Sequence, residues 1–92
     1  MFLEIVTPEA SIFQGEVESV IVPGTEGEFQ MLENHAAIVS LLQEGTVKIR
    51  GNFNIAEAFS DLFTDGENGT KLLTIQSGTV ELKDNKMIIL VD

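Results

Sequence analysis

Apolar and polar positions alternate along most of this chain, and the alternation is that of short strands. Phe2 to Thr7 places Phe2 or Leu3, and Ile5, beside Glu4, and Thr7-Pro8 closes the segment because proline pushes its predecessor out of the helical region. After a turn over Glu9 to Ser11, Ile12 and Phe13 reopen an extended run in which Gly15 is expected to mark a bulge or bend. Val17 to Val22 is dense in β-branched residues, and Pro23-Gly24 is expected to stop it. Thr25-Glu26-Gly27 fits a tight hairpin loop, with Phe29 to Leu32 as the returning strand. Glu33-Asn34-His35 is a polar break. The apolar run from Ala36 to Leu42 is too short for periodicity to decide between helix and strand, and its flanking turns favour a strand buried on both sides. Thr46 to Arg50 alternates most cleanly, with Val47 and Ile49 inward, and Leu72 to Ser77, Thr79 to Lys83 and Met87 to Val91 repeat the pattern around Gly78 and an Asp84-Asn85 turn.

One stretch breaks the rhythm. Between Gly51 and Thr70, Ile55, Phe59, Leu62 and Phe63 recur at helical spacing, and Asn54 with Glu57 three residues later has the form of a capping box. This predicts a short helix over 55–63, followed by a return loop over Asp65 to Gly69, with its apolar stripe packed on the remaining structure or else covering a partner-binding face. Many short strands at turn-punctuated intervals predict a mainly all-β fold, a flattened antiparallel sandwich of two sheets forming a single domain over 1–92.

Charge narrows the range of partners. Fifteen acidic residues against five basic ones give a formal charge of −10, a field that repels phosphate backbones and anionic membranes and either keeps a small domain in solution or suits a basic protein surface. Nucleic acid is excluded as an expected partner. No apolar run approaches the roughly 18 residues of a membrane-spanning helix, so no direct membrane insertion is expected. The chain contains no cysteine, which removes disulfides, thiolate metal sites and thiol catalysis.

The remaining candidate chemistry is sparse. His35 is the only histidine, and one imidazole with scattered carboxylates has no metal-ligand spacing, so no metal and no cofactor is expected. His35 reads as a turn residue bonded to nearby backbone or as a polar contact to a partner. Ser40 and Ser77 lack any nucleophile-elbow signature, and Gly24-x-x-Gly27 lacks the third glycine and the lysine of a phosphate loop. No catalytic residue is assigned. Lys86 in Asp84-Asn85-Lys86-Met87 resembles the modified lysine of lipoyl and biotinyl carrier domains, but only one short strand follows it where those carriers have about half their strands still to come. An ordinary turn explains the residues equally well.

An ordered series of short motifs carries a wider resemblance. Val6-Thr7-Pro8-Glu9, Phe13-x-Gly15-Glu16-Val17, Val22-Pro23-Gly24-Thr25-Glu26-Gly27-Glu28-Phe29, His35-Ala36, Leu41-Leu42, Gly45-x-Val47 and Gly78-x-Val80-Glu81-Leu82 together resemble the N-terminal β-sandwich domain of the F-type ATP synthase epsilon subunit. The resemblance spans nearly the whole chain.

It implies a non-enzymatic role in the central rotor, linking the gamma subunit to the membrane c-ring and passing ion-driven rotation to the catalytic head. The implied location is the cytoplasmic face of a bacterial inner membrane, with the isolated chain monomeric. By resemblance, Glu26, Gly27 and Glu28 would face the c-ring loops, and Thr7, Asn34 and His35 would lie toward gamma. The chain departs from the family in three places. Leu32-Glu33-Asn34-His35-Ala36-Ala37 stands where the family commonly has Leu-Pro-Gly-His-Ala-Pro, and the 51–70 excursion is longer than the usual hairpin. The sequence also stops where most members continue into a helical hairpin, so rotor assembly without hairpin-type inhibition or ATP sensing is expected. The alternative to this reading is an unrelated β-sandwich adaptor.

Overall fold

The computed structural model describes residues 1–92 and contains ten strands. These are β1 (Phe2–Val6), β2 (Ser11–Glu16), β3 (Ser19–Gly24), β4 (Gly27–Leu32), β5 (Ile38–Leu42), β6 (Gly45–Arg50), β7 (Phe63–Asp65), β8 (Lys71–Ile75), β9 (Gly78–Lys83) and β10 (Lys86–Val91). They form two half-sheets, β2-β1-β10-β9-β5 and β4-β3-β6-β8-β7. The two halves meet through a single residue pair, Gly24 opposite Leu42, so the whole is one curled sheet folded over at that hinge. Twenty buried apolar residues from both halves make one core, led by Leu3, Ile5, Met87 and Ile89 on one side and Val20, Val22, Met31 and Ile49 on the other.

The mainly-β sandwich read from the alternation is therefore present, with one addition. β1 and β10 run parallel, Leu3 opposite Met87 and Ile5 opposite Ile89. A parallel pair joins strands far apart in sequence, and no local pattern announces it.

Several local expectations are corrected. The bulge falls on Ile12, since Phe13 faces Ile5 and Ser11 faces Val6. One extra residue turns Ile12 and Phe13 both inward, and both are buried. Gly15 pairs regularly with Leu3, and a side chain there would press on the Phe13 ring at 3.3 Å. Pro23 does not stop β3, which continues through Gly24. The Pro23 carbonyl accepts from the Gln43 N–H at 2.9 Å, so its nitrogen faces the junction where β3 leaves β6 for β5 and no ladder bond is lost.

The expected helix over 55–63 is a 3₁₀ segment over Glu57–Leu62, without a side-chain cap, and Phe63 already belongs to β7. Of the twelve residues between β6 and β7, 51–56 are bend or irregular backbone, which leaves only six for the helical segment. The expected packing does occur: Phe53, Ile55 and Phe59 lie against the core, Phe53 meeting Phe13 edge-on at 5.0 Å between ring centroids. Leu62 stays half exposed. The excursion thus covers the open side of the sandwich beside β2.

The largest correction concerns β5. It is not buried on both sides: Val39 is 75% and Leu41 64% exposed, while Leu42 alone is buried. A continuous apolar run does not record how many of its faces are covered.

Candidate interaction surfaces

The β3–β4 hairpin turns through Thr25-Glu26, with Gly24 opposite Gly27. Gly27 has φ +121, and a Cβ at Gly24 would come within 2.8 Å of the Phe29 ring and 2.9 Å of the Gly27 carbonyl. Both glycines are therefore needed to close so tight a turn. The Thr25 N–H donates to the Leu41 carbonyl at 3.3 Å, anchoring the tip to β5. Glu26 and Glu28 are both exposed, but Glu28 Oε2 lies 3.1 Å from Lys48 Nζ. Only Glu26 presents a carboxylate without an ion-pair partner at this tip.

The outer face of β5-β9-β10-β1 carries rows read directly from the register. Leu41, Thr79, Leu90 and Val6 form one row, and Val39, Glu81, Ile88 and Glu4 the next. Leu90 is 50% exposed, and together with Val39 and Leu41 it leaves this face uncovered in a protein of charge −10. Glu4 is held by Gln14 and Ser11, each at 2.9 Å from the same oxygen. The Gln14 bond first, then Ser11 and the nearby Lys86 charge, lower its pKa below the ordinary 4.5.

Thr7 and the pair Asn34–His35 are not brought together. Thr7 follows Val6 at the end of β1, where its Oγ1 accepts from the Ala10 N–H at 3.2 Å in a side-chain-closed turn. Asn34, with φ +64, lies beyond the opposite end of the strands. Its N–H donates to Asn85 Oδ1 at 2.9 Å. Since β1 spans about 17 Å at ~3.3 Å per residue, Thr7 and Asn34–His35 lie at opposite ends of the strands. His35 Nδ1 is 2.7 Å from the Ala36 carbonyl, and its backbone N–H donates to the Leu32 carbonyl at 3.1 Å, closing the turn into β5.

At the Asn34 corner the Met1 ammonium meets Glu33 Oε1 at 3.1 Å and Glu16 Oε1 at 3.6 Å. The hydrogen bond from that ammonium, followed by its charge and the Asn85 amide, lowers the Glu33 pKa below 4.5. Lys86 begins β10 with its Nζ 5.9 Å above the Phe2 ring. No group of three or more His, Cys, Asp or Glu side chains is gathered where it could hold a metal. Motif spacing identified Glu26, Gly27, Glu28, Thr7, Asn34 and His35. It missed the exposed Val39, Leu41 and Leu90, which no polarity signal marks.

Fold and surfaces together define a ten-stranded β-sandwich with an acidic hairpin at one end and an uncovered apolar sheet face. Residues 1–92 match the family described as the ATP synthase delta/epsilon chain, beta-sandwich domain, and the chain belongs to that family. It is 39% identical over 90 residues to the ATP synthase epsilon chain of Leptospira interrogans, covering 98% of this chain and 59% of that one. To the epsilon chain of Campylobacter fetus it is 41% identical over 90 residues, again 98% and 59%. The chain thus spans about three fifths of the length of these curated relatives. The fold also matches a chain in the central stalk and c-ring structure of Tetrahymena thermophila mitochondrial ATP synthase, with TM-score 0.74 and 19% identity, over 99% of this chain and 62% of that one.

Proposed function

We propose that this chain is a non-catalytic central-rotor subunit of a proton- or sodium-translocating ATP synthase, acting as one domain that joins the gamma subunit to the c-ring. Its place would be the cytoplasmic face of a bacterial inner membrane, held there through the complex and not by insertion; no helix is long and apolar enough to cross a membrane. The observation that carries the reading is the uncovered face of Val39, Leu41 and Leu90 in a member of the ATP synthase family.

Gamma covers that face, from the Asn34–His35 corner to Thr7. Fully burying a valine or leucine side chain contributes about 1.5–3 kcal/mol, so this small patch can hold a stable contact once other contacts orient it. Gly27 shapes the tip that carries Glu26 and Glu28 to the polar loops of the ring, where carboxylates improve encounter and specificity more than affinity.

Co-elution with the gamma subunit tests the reading. The chain is expected to elute with gamma, and Leu41→Asp with Leu90→Asp to elute alone while keeping its fold. A folded double variant that still co-elutes would refute the assignment of this face.

A further inference from the structure

β5 has one ladder partner along its length and a free edge on the other side. Five positions, Ile38 to Leu42, pair with β9, whereas only Leu42 is opposite a residue of β3. The direction of the free groups follows from two bonds: the Leu41 carbonyl accepts from Thr25, and the Gln43 N–H donates to Pro23. Backbone groups of alternate residues in a strand point to the same side, so those of Val39 also point toward β3. No β3 residue faces Val39. Its N–H and C=O, together with the Leu41 N–H, are unpaired edge groups. A cleft of about 240 Å³ lies beside them in the chain, lined by Ser40 and the β3–β4 hairpin.

Natural sheets guard such edges with lysine, proline, inward charges or bulges. Ala36-Ala37-Ile38-Val39-Ser40-Leu41 has none of these. An unguarded edge flanked by exposed Val39 and Leu41 is a site for strand addition, in which backbone bonds give affinity and alternate side chains give selectivity.

We infer that the free edge of β5 takes an extended segment of the gamma subunit as an added strand, apolar where it lies beside Val39 and Leu41 and basic at its flanks. This rests on the rotor-subunit reading above and specifies how the contact is made. The charge around the edge selects the occupant. Glu81 stands opposite Val39 on β9, Glu44 lies just beyond the strand, and Glu26 lines the cleft, where no lysine or arginine does. A second copy of a chain with charge −10 meets like charge along the same edge.

Val39→Pro tests the backbone bond. Its N–H serves no β9 bond, and proline is tolerated where an edge N–H faces outward. Binding to the gamma subunit of the same synthase is expected to weaken at least tenfold in Val39→Pro. Val39→Thr, which keeps the N–H, is expected to retain at least three times the affinity of the proline variant. In the wild-type complex, hydrogen exchange at the Val39 and Leu41 amides should slow at least tenfold relative to the free chain, a readout that holds even if the proline variant does not fold.

A folded Val39→Pro that binds as the wild type does, or unprotected Val39 and Leu41 amides in a complex that forms, overturns strand addition and leaves the rotor reading standing. Failure of the wild-type chain to bind gamma overturns both. Concentration-dependent dimers with Val39 protected would replace gamma with a second copy and overturn the choice of occupant.

Discussion

Glu28 Oε2 lies 3.1 Å from Lys48 Nζ, and this pair divides the two carboxylates of the β3–β4 hairpin into one engaged and one free. An exposed pair of this kind contributes roughly 0–1 kcal/mol to stability. Its consequence is directional: Glu28 is drawn toward β6, and Glu26 carries the unpaired charge at the tip.

The two glutamates should consequently behave differently on reversal. Glu26→Lys is expected to leave the thermal midpoint nearly unchanged and to weaken salt-sensitive association with the c-ring. Glu28→Lys places a cation beside Lys48 and should lower stability by up to ~1 kcal/mol, with a smaller effect on ring association. Thermal melts and ring binding across an ionic-strength series measure both; equal binding losses would contradict the division.

A methyl group at Gly78 would collide with the Leu90 carbonyl oxygen, which belongs to β10 directly across the ladder. Relief requires shifting backbone, so Gly78→Ala is expected to cost about 1–3 kcal/mol, the range for overpacking a close contact. Denaturant unfolding of the isolated chain gives the number. A change below a few tenths would mean that the two strands separate more easily than their packing implies.

The 51–70 excursion contributes through Phe53 and Phe59. Phe53→Ala removes the edge-on contact with Phe13 and should destabilise by roughly 1–3 kcal/mol, below the value for a fully buried phenylalanine because Phe53 is only half buried. Phe59→Ser is expected to destabilise the free chain as well. A stable Phe59→Ser domain with weakened gamma binding would instead place Phe59 in the partner contact.

Glu33 gives a pH dependence of determinate sign. Its pKa is lowered on folding by the Met1 ammonium, so as pH falls the unfolded chain takes up the proton first. The contribution is complete above the unfolded value near 4.5 and is lost as pH falls through the lower folded value. Glu33→Gln should therefore be less stable than the wild type near neutrality, with the gap closing only below pH 4.5. A gap that widens in acid would contradict the assignment.

What the sequence disclosed depended on whether the signal was local. Val47 and Ile49 declared their strand because one face is wet, and Asp84-Asn85 declared its turn because both adopt positive φ, +52 and +63. The parallel partnership of β1 with β10 joins residues more than 80 apart and had no local trace. The Ile12 bulge was misplaced onto Gly15 because glycine marks several backbone needs, here the approach of the Phe13 ring. At the candidate surfaces, motif order located the acidic tip. It could not reveal that Thr7 and Asn34 stand at opposite ends of the strands, nor that the apolar run of β5 lies open. Those facts belong to topology.

The absence of cysteine makes a direct test of the rotor account possible. Glu26→Cys and Val39→Cys, introduced singly into this chain and reconstituted with a gamma subunit and c-ring, provide crosslinking sites without background from residues 1–92. The account predicts that Cys at position 26 links to the c-ring and Cys at position 39 to gamma. Both positions linking to the same subunit, or neither linking to the rotor, would contradict it.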